Sequence, residues 1–266
     1  PMTVALNHRI TGEGPPLILL HGLFGSLDNL GGIARRLEDQ WQIHALDERN
    51  HGGSPHIDTM DYPAMARDVL AYMDAQGLDK VSLLGHSMGG KVAMQVALQA
   101  PARVDKLIVA DIAPVSYKPR HDAILEGLTS MDLTGVRSRQ DADRLMADFV
   151  EEPGVRQFLL KNLERIPRDE QQEGGPMFRW RLNLPVIDAC YENLAKAPEG
   201  DGPFDGPVLF LKGEDSAYIQ EKHRDDIQRL FPRAQLRIIQ GTGHWLHAEK
   251  ADSFTALCRR FLSAGE

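Results

Sequence analysis

Four short apolar runs punctuate the first 114 residues: "LILLHG" (17–22), "IHALDERNHGG" (43–53), "VSLLGHS" (81–87) and "LIVADIAP" (107–114), each ending in glycine, aspartate or a turn. Apolar residues that do not alternate with polar ones over so short a stretch suit strands buried on both faces. Between the runs the period changes to that of a helix. Residues 63–76 open with Pro63, carry Met65, Val69, Tyr72 and Met73 on one side and stop at Gly77; Lys91–Ala100 stops at Pro101. Strand and helix therefore alternate. That order predicts an α/β architecture, a mainly parallel central sheet covered by helices on both faces.

The alternation breaks after Asp111 and resumes at "PVLFLKGED" (207–215), followed by a helical stretch over His223–Leu230, a strand "LRII" (236–239) and a last helix. In that last helix Phe254, Leu257, Cys258, Phe261 and Leu262 form one core-facing stripe. The stretch between is too long for a structureless loop and has helical signals of its own, among them Val155, Phe158, Leu159 and Leu163. The expected organisation is a core made of residues 1–112 and 207–266 with an inserted helical cap, or lid, at 113–206, left through the turn-rich "PEGDGPFDGP" (198–207).

Composition narrows the function classes. A chain of 266 residues with 42% hydrophobic residues can bury a substantial core. The net charge of −8 comes with no basic stripe, which argues against nucleic acid as a partner. No apolar run approaches the roughly 18 residues of a membrane span, and "PMTVALNHRITGEGPP" lacks the apolar stretch of a secretory signal; a cytoplasmic protein is expected. Two cysteines, Cys190 and Cys258, are too few for a disulfide framework or a four-cysteine zinc site and read as small buried apolar residues.

Against that background "GHSMGG" (85–90) acquires meaning, because it joins the strand "VSLL" directly to the helix "KVAMQVALQA". This is the strand-turn-helix of a G-x-S-x-G nucleophile elbow, with Ser87 as the candidate nucleophile. Gly85 and Gly89 stand where side chains would collide with the neighbouring strand and helix. A serine needs a base, and of ten histidines His244 is the candidate, because "GTGHW" is a glycine-rich loop just after the last predicted strand and reaches the carboxyl edge of the sheet. His86, His21 and His51 read as structural, holding loops. His244 and His247 have no glutamate in a zincin pattern, so no metal is expected. The oxyanion hole needs one amide from the residue after the nucleophile, Met88, and one from the loop "HGLFGS" (21–26), where Leu23 is the candidate and Phe24 the alternative.

"HGLFGS", "DERNHGGS", "GHSMGG", "GEDS" and "GTGHW", in that order and spacing, resemble the α/β-hydrolase superfamily from about Leu17 to Leu262. Within it, "HGLFGSLDNLG", "RNHG", "YPAMARD", "GHSMGGK", "DIAPV" and "GHWLHAEK" most resemble the YbfF-type branch of small carboxylesterases and thioesterases. The triad acid departs from the common superfamily pattern. Counting G-x-x-D from Gly213 arrives at Ser216, which is no carboxylate; Glu214, Asp215 and Asp111 remain. The YbfF-type resemblance implies Asp111 as the acid with Ser216 as a hydrogen-bonding helper, and Asp215 is the alternative acid.

The reaction so implied is acyl transfer from a small-molecule ester or acyl thioester to water, without cofactor or metal. Dehalogenase and epoxide-hydrolase chemistry is disfavoured by serine at the elbow. A carbon–carbon bond hydrolase, an acyltransferase, a cofactor-free perhydrolase or a non-catalytic binding protein would share the constellation. A nucleotide-binding protein would need a phosphate loop, and "HGLFGSLDNLGG" has neither G-x-G-x-x-G nor a P-loop ending. The candidate lining of an apolar acyl pocket is Phe24, Phe178, Trp180, Tyr191 and Trp245. Arg179 and Arg181 read as a solvated face.

Overall fold

The buried runs lie side by side in one sheet. A computed structural model describes residues 2–119 and 122–265. The strands and helices of the first half are β1 (His8–Thr11), β2 (Pro16–Leu20), α1 (Gly31–Leu37), β3 (Gln42–Leu46), α2 (Tyr62–Ala75), β4 (Val81–His86), α3 (Met88–Gln99) and β5 (Val104–Ala110). Then come α4 (Asp122–Ser130), α5 (Arg139–Met146), α6 (Pro153–Leu160), β6 (Leu163–Arg165), β7 (Phe178–Trp180), α7 (Leu184–Ala189) and α8 (Tyr191–Ala195). The chain closes with β8 (Val208–Gly213), α9 (Arg224–Leu230), β9 (Ala234–Ile239), α10 (Leu246–Glu249) and α11 (Ala251–Ser263). The sheet has seven strands in the order β1-β3-β2-β4-β5-β8-β9. All neighbours are parallel except the edge pair β1 and β3.

The two-residue strand period divides the core between two helical layers. Leu17 and Leu19 of β2 join Ile33 and Leu37 of α1 and Phe254 and Cys258 of α11 on one face. Ile18 and Leu20 join Val69 and Met73 of α2 and Val92 and Val96 of α3 on the other. Each such fully buried aliphatic side chain stabilises the fold by roughly 1.5–3 kcal/mol. Helix α2 starts where the sequence demands it. The Asp61 carboxylate accepts the Ala64 amide at 2.8 Å, with Pro63 in the first turn, and Gly77 takes φ +69° beyond the last turn. The strand expected over 236–239 is present but is an exposed edge, with Leu236 and Ile238 about half accessible.

Between β5 and β8 the chain forms α4 to α8 and the antiparallel pair β6–β7. Leu163, on the expected helical stripe, begins β6 instead. Helix α6 ends at Leu160 because the Asn162 side chain donates to the Leu159 carbonyl, competing with the next helical bond. This segment is tied to the rest by the Tyr62 hydroxyl donating to the Leu194 carbonyl (2.6 Å) and the Asn183 amide donating to the Asn50 carbonyl (2.9 Å). Cys258 is buried, but Cys190, at the α7–α8 junction, is only partly so. Parallel strands bring the loops after β2, β4, β5, β8 and β9 to one edge of the sheet, the edge where α/β proteins place their sites.

Candidate active site

Ser87 occupies the one-residue turn between β4 and α3 at φ +56°, ψ −118°, a strained conformation for a side-chain-bearing residue. Its amide is held by the Ala110 carbonyl at 3.1 Å, while its own carbonyl accepts from Gly90 and Lys91. The turn fits because its flanks are glycine. A Cβ on Gly85 would lie 2.1 Å from the Gly89 carbonyl oxygen, and one on Gly89 would lie 2.2 Å from the carbonyl oxygen of Leu20. The nucleophile position is thus wedged between β2 and its own helix.

His244, on the loop after β9, meets Ser87: its Nε2 lies 2.9 Å from Ser87 Oγ. On the other side of the ring, Nδ1 lies 2.7 Å from Asp111 Oδ2. Asp111, fully buried at the end of β5 with φ +55°, accepts the Gly213 amide on Oδ1 at 3.0 Å and the Ser216 hydroxyl on Oδ2. With His244 Nδ1–H, the Asp111 carboxylate accepts three hydrogen bonds. Asp215 and Glu214 are exposed, and Glu214 accepts the Gly241 amide instead. The structure therefore brings Ser87, His244, Asp111 and Ser216 together and leaves Asp215 outside. The Tyr218 ring stacks on the imidazole, 4.1 Å between centroids.

Among the described residues, no acceptor of the chain takes the Leu23 amide. Met88 is the first residue of α3, where amides have no intrahelical acceptor. Phe24, the alternative donor, has its N–H committed to His51 Nε2 at 3.1 Å. His51 in turn donates Nδ1–H to the Arg49 carbonyl, and burial pushes its pKa down to about 3, so Nε2 stays free to accept. His21 accepts the Glu48 amide on Nε2. His86 donates Nε2–H to the His244 carbonyl at 2.7 Å, supporting the loop from below. Burial holds His86 well below the usual imidazole range and His247 at about 4.

A cleft partly open to solvent exposes Ser87 and is lined by Leu23, Met88, Tyr117, Tyr191 and Tyr218 with Lys91 and Tyr62. Of the expected pocket aromatics only Tyr191 lies there. Phe24 is turned into the core, Phe178 is buried in β7 under the Arg165 guanidinium, Trp180 is half-buried on the same strand, and Trp245 packs on Phe158. For Phe178 and Trp180 the reason is register: in the β6–β7 pair they stand opposite Arg165 and Leu163. Arg179 is exposed and paired with Glu164 and Glu170. Lys91 stands four residues after Ser87, hence on the same helical face, a signal that was available in the sequence. Tyr62, at the start of α2, and Tyr117 and Tyr218, from two loops, reach the cleft from separate parts of the chain, and no spacing marks them.

A parallel sheet with an elbow serine after β4, a histidine after β9 and a carboxylate after β5 defines a hydrolase class. The chain belongs to the alpha/beta hydrolase fold family, which matches residues 15–251. Esterase YbfF of Escherichia coli (strain K12) is 42% identical over 252 residues, 93% of each protein. The sn-1-specific diacylglycerol lipase ABHD11 of Xenopus tropicalis is 42% identical over 263 residues, 96% of this chain and 80% of the relative. Among solved structures, a marine microorganism esterase matches with a TM-score of 0.92 at 40% identity, over 97% of this chain and 100% of that one.

Proposed function

We propose that the protein is a serine ester hydrolase that cleaves carboxylic esters and acyl thioesters of small or acyl-chain substrates through an acyl-enzyme on Ser87. The observation that carries this reading is the continuous line Ser87 Oγ–His244 Nε2, His244 Nδ1–Asp111 Oδ2, open to a cleft at the serine end. Kinship with esterases over nearly the whole chain supports it. Ser87 Oγ attacks the acyl carbon as His244 Nε2 takes its proton; Asp111 holds Nδ1–H and balances the imidazolium. The Leu23 and Met88 amides stabilise the tetrahedral oxyanion. His244 returns the proton to the leaving group, and water, activated by the same nitrogen, releases the acid. Ser216 keeps the Asp111 carboxylate oriented. No metal or cofactor takes part in these steps.

Residues 113–206 act in this reading as the lid that selects the acyl group, with Tyr117, Tyr191, Leu194 and Ala195 among its contributions to the cleft. Among the described residues, no helix is long and apolar enough to cross a membrane. Two unpaired cysteines accord with work in the reducing cytoplasm. The test is initial rates on p-nitrophenyl esters and acyl-CoA thioesters of increasing chain length, beside the Ser87→Ala protein. Serine-dependent turnover is expected, with a chain-length optimum set by the cleft. No turnover on either series by a folded protein would overturn the reading.

A further inference from the structure

The loop that carries the Leu23 amide is strained and gripped from two sides. Gly22 to Gly25 form a turn closed by the Gly25 amide on the Gly22 carbonyl at 3.0 Å, and its third residue, Phe24, has φ +67°. Glycine is favoured at such a position, and a phenylalanine relaxes if the preceding peptide rotates. One hydrogen bond opposes that rotation directly, and a second pins the peptide that follows Phe24. On the N–H side of Phe24 is His51 of the core. On the carbonyl side is Asn162, between α6 and β6, whose Nδ2 donates to the Phe24 oxygen at 2.7 Å across 138 residues of sequence. Asn162 is only 5% exposed, and its second Nδ2–H goes to the Leu159 carbonyl at 3.2 Å.

The same corner reaches the other side of the site. Phe158, one turn earlier, packs its ring 5.1 Å from that of Trp245, the residue after His244. The stretch 158–162 thus touches the loop of the oxyanion amide through Asn162 and the loop of the base through Phe158. Mere fastening of this segment to the core is already served by the Tyr62–Leu194 and Asn183–Asn50 bonds, far from both loops in sequence.

We propose that Asn162 is a positioning residue for the oxyanion hole: by holding the Phe24 carbonyl it keeps the Leu23 amide aimed at the acyl oxygen, so that docking of the lid segment completes the site. This rests on the hydrolase reading above. A misplaced donor harms the transition state more than the bound substrate, so the loss belongs in kcat.

The test compares wild type with Asn162→Leu, of similar size but without the donor, and Asn162→Gln, which keeps the amide. On p-nitrophenyl butyrate, Asn162→Leu is expected to lose about 10- to 100-fold in kcat with KM within about threefold. Inhibition by an alkyl trifluoromethyl ketone, whose adduct places an oxyanion in the hole, should weaken by the same factor as kcat/KM, and Asn162→Gln should recover part of both. If Asn162→Leu does not fold, Asn162→Ser takes its place with the same expectation. Unchanged kcat and ketone affinity with a lowered Tm would reduce Asn162 to a strap and overturn the proposal alone. A wild-type protein inert to ester and ketone alike would overturn the hydrolase reading and this one with it.

Discussion

Replacing Asp111 by asparagine probes the site through a single proton. The carboxylate has two distinct oxygens. Oδ1 faces the Gly213 amide, a fixed donor, so the asparagine oxygen must occupy that place. The new NH₂ then points where Oδ2 was, at His244 Nδ1 and Ser216 Oγ. Ser216 can rotate and accept. His244 can answer a donor only by accepting on Nδ1, which moves its proton to Nε2, the atom facing Ser87. The base then holds the proton it should receive. The order expected for a triad aspartate made amide is about 10⁴-fold in kcat, equivalent to about 5–6 kcal/mol of transition-state stabilisation. The assay is steady-state hydrolysis of a p-nitrophenyl ester, with near-ultraviolet circular dichroism to establish that the fold is kept and Asp215→Asn as control. Asp215 is exposed and bonded to His244 nowhere in the fold, so its variant should match wild type. An Asp111→Asn enzyme within about tenfold of wild type, or a dead Asp215→Asn enzyme, would refute the assignment of the acid.

Three further outcomes are expected. Ser87→Ala should lower turnover by about 10⁴ to 10⁶ while leaving Tm within a few degrees, read by ester hydrolysis and thermal melting. Gly89→Ala should lower Tm by several degrees, since its Cβ would meet the backbone oxygens of Leu20 at 2.2 Å and His21 at 2.5 Å, neither of which can move alone. Burial lowers the Lys91 pKa from 10.5 to about 7, so between those values the unfolded chain binds a proton that the folded one does not. The Lys91 contribution to stability must then rise as pH goes from 7 to 10.5, and urea unfolding of Lys91→Met should show a flatter pH dependence over that window than wild type.

The parts of the site that could be read from sequence are those fixed by one strand and its following turn. Ser87 follows from "GHSMGG" between strand and helix, and Asp111 and His244 sit at strand ends that a parallel sheet must bring to one edge. The resemblance was needed to prefer Asp111 over Asp215, because side-chain direction after β8 depends on a turn in which the Ser216 amide bonds the Gly213 carbonyl. The cleft lining was mostly illegible. Aromatic clustering at 175–194 is satisfied by β6–β7 pairing and by packing within the same segment, so it does not report on what faces Ser87. Tyr62, Tyr117 and Tyr218 come from a helix start and two loops separated by tens of residues and converge only through the fold. Asn162 is illegible for the same reason, since its partner Phe24 lies 138 residues away.

In this mechanism the acyl group passes through Ser87. Its most direct test is rapid mixing with excess p-nitrophenyl butyrate, acid quenching within the first turnover, and peptide mass spectrometry. The expected result is a butyryl adduct on the peptide containing Ser87, accompanied by a burst of p-nitrophenolate of at most one equivalent and absent from Ser87→Ala. Turnover with no adduct, or an adduct on another residue that survives Ser87→Ala, would contradict it.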